Sequence, residues 1–165
     1  MRYLIRPGRP ADQNAILAML REFMGYFAAI DAGDSVPGTE RGDADLARTA
    51  GLAFASDPVC AVLIAERAGR PVAYLAYHFG VWETFPALYV AGLFVTASAR
   101  GLGIGRALMA EAQRLAAARG AERIAWMVWR KNAPAIAFYE HLGATRHEED
   151  MQMVWKVVEA TGPNA

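Results

Sequence analysis

Three glycines within five residues, Gly101, Gly103 and Gly105, constrain this chain more than any other feature because of what flanks them. The apolar run Leu88 to Val95 predicts a buried strand, and the alanine-rich segment Ala107 to Arg119 predicts a helix. A strand that feeds a glycine-rich turn into a helix N-terminus exposes several backbone N–H groups at the positive end of the helix dipole. Such an arrangement binds phosphate, so the sequence predicts a phosphate-bearing cofactor. The plainer alternative is a glycine-rich turn with no ligand.

Spacing separates the possible glycine loops. A P-loop requires Lys and Ser or Thr after its last glycine, whereas Gly105 is followed by Arg106 and Ala107. A dinucleotide fingerprint requires Gly-x-Gly-x-x-Gly, and Arg106 or Leu108 stands where its third glycine belongs. The pattern that fits is Arg/Gln-x-x-Gly-x-Gly/Ala, filled by Arg100, Gly103 and Gly105.

The 165 residues predict one domain, 1–165, with a cofactor-binding core at about 88–144. Seventeen Lys and Arg balance seventeen Asp and Glu, so no basic field favours nucleic acid or an anionic membrane surface. The single cysteine, Cys60, rules out an internal disulfide and a multi-cysteine metal site, and no metal is expected. Its apolar neighbours Val59 to Ile64 predict a small buried hydrophobe. Met1 to Pro7 lacks the apolar core of a signal peptide, and no apolar stretch reaches membrane-spanning length. A cytoplasmic protein is predicted.

Along the chain, Tyr3 to Arg6 predicts a strand stopped by Pro7, and Asp12 an N-cap for a helix bearing Ile16, Leu17, Leu20 and Phe23. The glycine-bearing segment Asp31 to Asp45 predicts a mobile loop, with Asp45 capping a short helix through Leu46 and Leu52. Val59 to Glu66 and Val72 to Phe79 predict a hairpin closed around Gly69. On the glycine-loop helix, Ile104, Leu108, Leu115 and Ala118 form the apolar stripe, and Gly120 ends it. A strand at Arg123 to Val128, a helix opened by Asn132-Ala133-Pro134 and ended by Gly143, and a last strand at Met151 to Val158 follow. A further short strand fits near Ala144 to Arg146. The order β-α-α-β-β-β-α-β-α-β predicts an α/β fold, a mixed and mostly antiparallel sheet flanked by helices.

The segment Asn132 to Ala144 supplies a second signature. Asn132, Ile136 and Tyr139 fall at i, i+4 and i+7 and share one helix face, just after a strand that neighbours the glycine-loop strand. Read alone, Phe138 and Tyr139 are also consistent with ordinary core aromatics. Joined to Arg100-x-x-Gly103-x-Gly105, the text Asn132-x-x-Ala135-x-x-Phe138-Tyr139-x-x-x-Gly143 resembles the conserved blocks of the GNAT N-acetyltransferases. Trp129 to Tyr139 is most similar to the diamine (spermidine/spermine-type) branch. The resemblance covers nearly the whole chain, with its specific motifs between Leu93 and Gly143.

The resemblance implies an acetyl-CoA-dependent N-acetyltransferase acting on a small-molecule primary amine by direct attack in a ternary complex. It implies that the backbone of Leu93, Phe94 and Val95 pairs with the pantetheine arm. Arg100 and the backbone amides of Gly101, Leu102, Gly103, Ile104, Gly105 and Arg106 would hold the pyrophosphate. Asn132 and Ala135 would touch the cofactor, and Tyr139 would donate a proton to the departing thiolate. A phenol with an ordinary pKa near 10 is protonated at neutral pH, which suits that role.

One part of the pattern is absent. An alkylamine of pKa about 10.4 is a free base only about once in 2,500 molecules at pH 7, so a base or a pKa-lowering site is useful. The diamine branch carries a Glu-Asp pair where this chain has Ala91-Gly92. Glu83 is the candidate substitute, with His78, Glu22 and Tyr26 as alternatives. The segment Phe23 to Phe27 lacks the acidic character suited to polyamines, so a less cationic or more apolar amine is expected. Tyr26, Trp82, Phe85 and Trp129 are candidate acceptor walls. The alternation around Gln152 and Trp155, at the end through which such relatives pair, predicts a homodimer. A non-catalytic CoA-binding module on the same fold is the alternative that Ala91-Gly92 favours.

Overall fold

The computed structural model describes residues 3–30, 41–147 and 152–154. Strand β1 (Tyr3–Pro7) pairs antiparallel with β2 (Ala61–Arg67), and β2 with β3 (Arg70–Trp82). The β2–β3 turn places Ala68 and Gly69 at φ of 50° and 74°, the doubly left-handed geometry that matches strand twist. Strand β4 (Phe85–Val95) folds back on β3 along its whole length, and β5 (Arg123–Ala125) adds in parallel. The sheet order is β1-β2-β3-β4-β5. It is the mixed, mostly antiparallel sheet flanked by helices that the element order predicts.

Helices α1 (Gln13–Ile30) and α2 (Asp43–Gly51) cover one face, burying Ile16 and Met19 against Val62, Ile64, Tyr74 and Phe94. Helices α3 (Ile104–Ala118) and α4 (Ala133–His141) cover the other, around Leu63, Leu75, Leu88 and Leu108. The glycine loop and the start of α4 therefore lie beyond the same end of the sheet, where β4 runs out.

Several local expectations shift. Asp12 is no N-cap: it ends a short 3-10 turn, Pro10–Asp12, and its carboxylate accepts from the Arg9 N–H and from Arg6. Gly42, not Asp45, caps α2, and Asp45 reaches back to accept from the Gly42 N–H at 3.2 Å. The predicted loop from Asp31 lies outside the described residues up to residue 40. The stripe of α3 runs through Ile104, Leu108, Met109, Ala112 and Ala116; Leu115 is half-buried and Ala118 exposed, because the sheet-facing arc tracks i, i+4 and i+5. No strand forms over Ala144 to Arg146. The predicted last strand, Met151 to Val158, lies outside the described residues except for 152–154, which hold no regular structure. Cys60 is half-buried just ahead of β2, and burial pushes its thiol up. No helix among the described residues is long and apolar enough to cross a membrane.

Candidate active site

Strand β4 is long because β3 pairs with it from Ala73↔Val95 to Trp82↔Phe85, yet β5 pairs with it only at Ala87, Leu88 and Tyr89. Trp126 to Val128, predicted to prolong β5, leave the sheet instead. Beyond Tyr89 the edge of β4 facing β5 carries no strand among the described residues. That edge offers the backbone groups of an unpaired strand, which is what an extended ligand arm needs. Leu93, Phe94 and Val95 lie on it, with Phe94 buried on the α1 side and the other two half-buried.

After Val95 a single 3-10 turn, Ala97–Ala99, leads into the glycine loop. Gly101 and Gly103 adopt φ of 75° and 76°, a conformation costly for any side chain, and a Cβ at either would meet nothing within 4 Å. The loop is therefore an open cradle shaped by backbone. Gly103 caps α3 without any side-chain hydrogen bond, and the first backbone bond of the helix is donated by Ala107 to the Gly103 carbonyl at 3.0 Å. The N–H groups of Ile104, Gly105 and Arg106 thus lack intrahelical acceptors at the positive helix end. A pyrophosphate fits this donor set.

Gly105 faces α4. A Cβ there would stand 3.2 Å from the Phe138 ring, so the missing side chain lets the two helices meet beside the loop. Tyr139 follows, its ring 4.8 Å from that of Trp126 and 5.1 Å from that of Phe138. Burial among these rings pushes its phenol up to about 12. Asn132 is buried and caps α4, its Oδ1 accepting from the Ala135 N–H at 3.3 Å. Ala135 is half-buried in that first turn.

Helix α1 ties both motifs together. Glu22 accepts from the Ala97 N–H at 2.7 Å, and Tyr26, one turn later, donates to Asn132 Oδ1 at 2.9 Å. The Arg100 guanidinium lies 4.9 Å from the Tyr26 ring centre, and its Nε donates to the Val95 carbonyl at 3.1 Å. Phe27 stacks on Trp129 at 5.5 Å. Glu22 thus holds the loop and is engaged, and Tyr26 belongs to the site as a partner of Asn132. The sequence offers Glu22 only as an alternative base and Tyr26 as an acceptor wall as well; their i, i+4 spacing on one helix face is the signal that joins them.

Other candidates stand elsewhere. Glu83 occupies the two-residue β3–β4 turn at φ of 53° and is exposed. Six residues separate Phe85, beside that turn, from Ala91, about 20 Å along a strand, so Glu83 is remote from the open edge. Trp82 packs edge-on against His147, and Phe85 lies under the Arg123 guanidinium at the same hairpin end. His78 stacks on Tyr89 at 5.1 Å. Of the aromatic walls, only Trp129 and Tyr26 belong with the motifs.

The site thus joins an open strand edge, a backbone cradle and a capped helix bearing a half-buried phenol. The acetyltransferase (GNAT) family model matches residues 18–144. The chain belongs to this family. Its members are N-acetyltransferases that generally use acetyl-CoA. A stretch of 65 residues is 46% identical to the mycothiol acetyltransferase of Amycolatopsis mediterranei (strain U-32), covering 39% of this chain and 21% of that protein. The match therefore spans about a fifth of that relative. The crystal structure of a transcriptional regulator from Bacillus halodurans C-125 is 25% identical, with a TM-score of 0.71 over 93% of this chain and 100% of that one. An aminoglycoside acetyltransferase from an uncultured soil metagenomic sample, solved with sisomicin, is 17% identical, with a TM-score of 0.67 over 94% and 97% of the two chains. At that identity it shows the shared fold alone.

Proposed function

We propose that this chain transfers an acetyl group from acetyl-CoA to a primary amine of a small molecule by direct attack in a ternary complex. The observation that carries this reading is the amide cradle at the start of α3, whose Gly105 faces Phe138, the neighbour of a half-buried, protonated Tyr139 on α4. Bound acetyl-CoA supplies an electrophilic thioester carbonyl and a thiolate leaving group. The amides of residues 101–106, with Arg100, hold the pyrophosphate, and the edge at Leu93, Phe94 and Val95 aligns the pantetheine arm. Asn132 and Ala135 border that arm. Tyr139, a weaker acid than a thiol of pKa about 8.5, acts as a permanent hydrogen-bond donor to the sulfur as charge develops there.

No carboxylate stands at Ala91-Gly92, and Glu83 is too remote to serve as the base, so the acceptor arrives as a free amine rather than as a polycation of the diamine-branch type. The relative named a mycothiol acetyltransferase, 46% identical over 65 residues, supports a small-molecule acceptor. The reading extends to a cytoplasmic homodimer, supported by the exposure of Met153 and Val154 and by the solitary cysteine. A non-catalytic CoA-binding module is the second reading, favoured by the same Ala91-Gly92.

Calorimetry of acetyl-CoA and CoA, with turnover on an amine panel, tests both. Affinity on the order of micromolar is expected, lost in Gly103→Glu, where a side chain must adopt the left-handed region. Tyr139→Phe should bind acetyl-CoA normally and lower kcat about a hundredfold. Binding without transfer supports the module; folded protein that binds neither compound overturns both readings.

A further inference from the structure

Tyr74 on β3 pairs with Phe94 on β4 and retains only 5% of its surface. Its ring leans along the strands towards Gly92: a Cβ built there would stand 3.5 Å from a ring carbon and 3.6 Å from the hydroxyl oxygen. Gly92 pairs with Ala76 and Val90 with Tyr77, leaving Ala91 as the extra residue of a β-bulge. The bulge lies where β4 and β5 part company, one residue beyond Val90. A ligand arm entering from the glycine loop and running back along the open edge is stopped near here, because β5 closes the edge again at Tyr89.

A buried phenol ordinarily has a hydrogen-bond partner. The Tyr74 hydroxyl has none among the described residues. Nor is it sealed: the fully enclosed side-chain polar atom without a partner in that set is Thr96 Oγ1. Ile16, Met19, Phe23, Phe94 and Ala76 pack in the same cluster and are all apolar. The charged groups nearby are engaged, Glu22 with the Ala97 N–H and Arg100 with the Val95 carbonyl and the Phe94 and Tyr26 rings.

We infer that the Tyr74 hydroxyl, left uncovered on one side by the missing side chain at Gly92, receives and orients the acceptor amine, and that this amine enters uncharged on an apolar body. The inference rests on the transfer reading above. A hydroxyl oxygen accepts an amine N–H, and burial raises the Tyr74 phenol, so it remains protonated and is no base. An apolar surrounding disfavours an ammonium ion and thereby supplies the free amine that Ala91-Gly92 cannot generate. In the reaction the amine nitrogen bonds to the acyl carbon, the carbon–sulfur bond breaks, and one amine proton ends on the released thiol. Tyr74 keeps its own proton throughout.

The test is thiol release from acetyl-CoA with 2-phenylethylamine, spermidine or sisomicin as acceptor, for the wild type, Tyr74→Phe, Gly92→Ala and the double variant. Wild type should prefer 2-phenylethylamine. Tyr74→Phe should lose about ten- to hundredfold in kcat/KM for the amine while its acetyl-CoA affinity stays within about twofold. Its thermal midpoint should not fall, since the oxygen removed has no partner. Gly92→Ala should lower amine kcat/KM in the wild type and add little once the hydroxyl is gone. Unchanged amine kinetics in Tyr74→Phe, or a loss of acetyl-CoA affinity, overturns the role of Tyr74. A preference for spermidine or sisomicin overturns the acceptor class. A wild type that binds acetyl-CoA but acetylates no amine overturns the transfer reading, and this inference with it.

Discussion

Asn132 carries two structural roles on one oxygen. Its Oδ1 accepts the Ala135 N–H, which satisfies an orphan donor of the first turn of α4, and it accepts the Tyr26 hydroxyl from across the molecule. Removing the shared acceptor should therefore cost more than removing one donor. Asn132→Ala is expected to destabilise by about 2 kcal/mol or more, through cap loss and a stranded Tyr26 hydroxyl, and Tyr26→Phe by about 1 kcal/mol. Urea unfolding of the two single variants and the double variant checks this, with the double close to Asn132→Ala alone. Equal single costs would mean that the oxygen is not shared. The capping role of Asn132 was legible, because Asn before Ala-Pro is a local signal. Its partner was not, since 106 residues separate Tyr26 from Asn132 and no local pattern encodes such a contact.

At the level of elements, strand ends proved hardest to read. The strands predicted at Val72 to Phe79 and Leu88 to Val95 stop short of Val81, Trp82 and Phe85, which Glu83-Thr84 and Pro86 interrupt, yet pairing across the hairpin extends β3 and β4 to the turn. Trp126 to Val128 looked like strand because of their β-forming side chains, but β propensity is realised only against a partner, and β4 diverges there. The C-terminal ends of the last two helices were clearer, since glycines fix them: Gly120 at φ of 68° and Gly143 at 89° stop α3 and α4 where expected. What the sequence did not disclose is why Gly105 is glycine. It faces the Phe138 ring of α4, where a Cβ would stand at 3.2 Å, closer than an ordinary contact. Gly105→Val is expected to cost about 1–3 kcal/mol by overpacking this crossing and to weaken acetyl-CoA binding by moving the first turn of α3. Thermal unfolding and calorimetry on the same sample would show both effects; a variant that loses stability but keeps full affinity would separate the helix crossing from the cradle.

For the whole molecule, formal charges balance at pH 7, and the response to acid begins with the carboxylates held in ion pairs. The most enclosed of these among the described residues centres on Arg6 of β1, which donates to Asp12 at 2.7 Å and 2.9 Å and to Glu66 at 2.9 Å. Their side chains are 14%, 7% and 27% exposed. This cluster joins the edge strand, its neighbour β2 and the approach to α1, three parts that must assemble together. The Arg6 guanidinium holds the Asp12 carboxyl below its usual range, with burial opposing and the Arg9 N–H assisting. A carboxyl depressed on folding stabilises the fold fully above its unfolded value, about 3.9, and loses that contribution as pH falls through the folded value. Asp12→Asn should therefore cost about 1–3 kcal/mol near pH 7. The gap between wild type and variant should stay level down to about pH 5 and narrow below about pH 4, as wild-type Asp12 takes up its proton. Urea unfolding at pH 7, 5, 3 and 2 measures that gap directly. A gap constant across all four would show that Asp12 acts by shape rather than charge, and would leave the acid sensitivity of this fold to its other carboxylates.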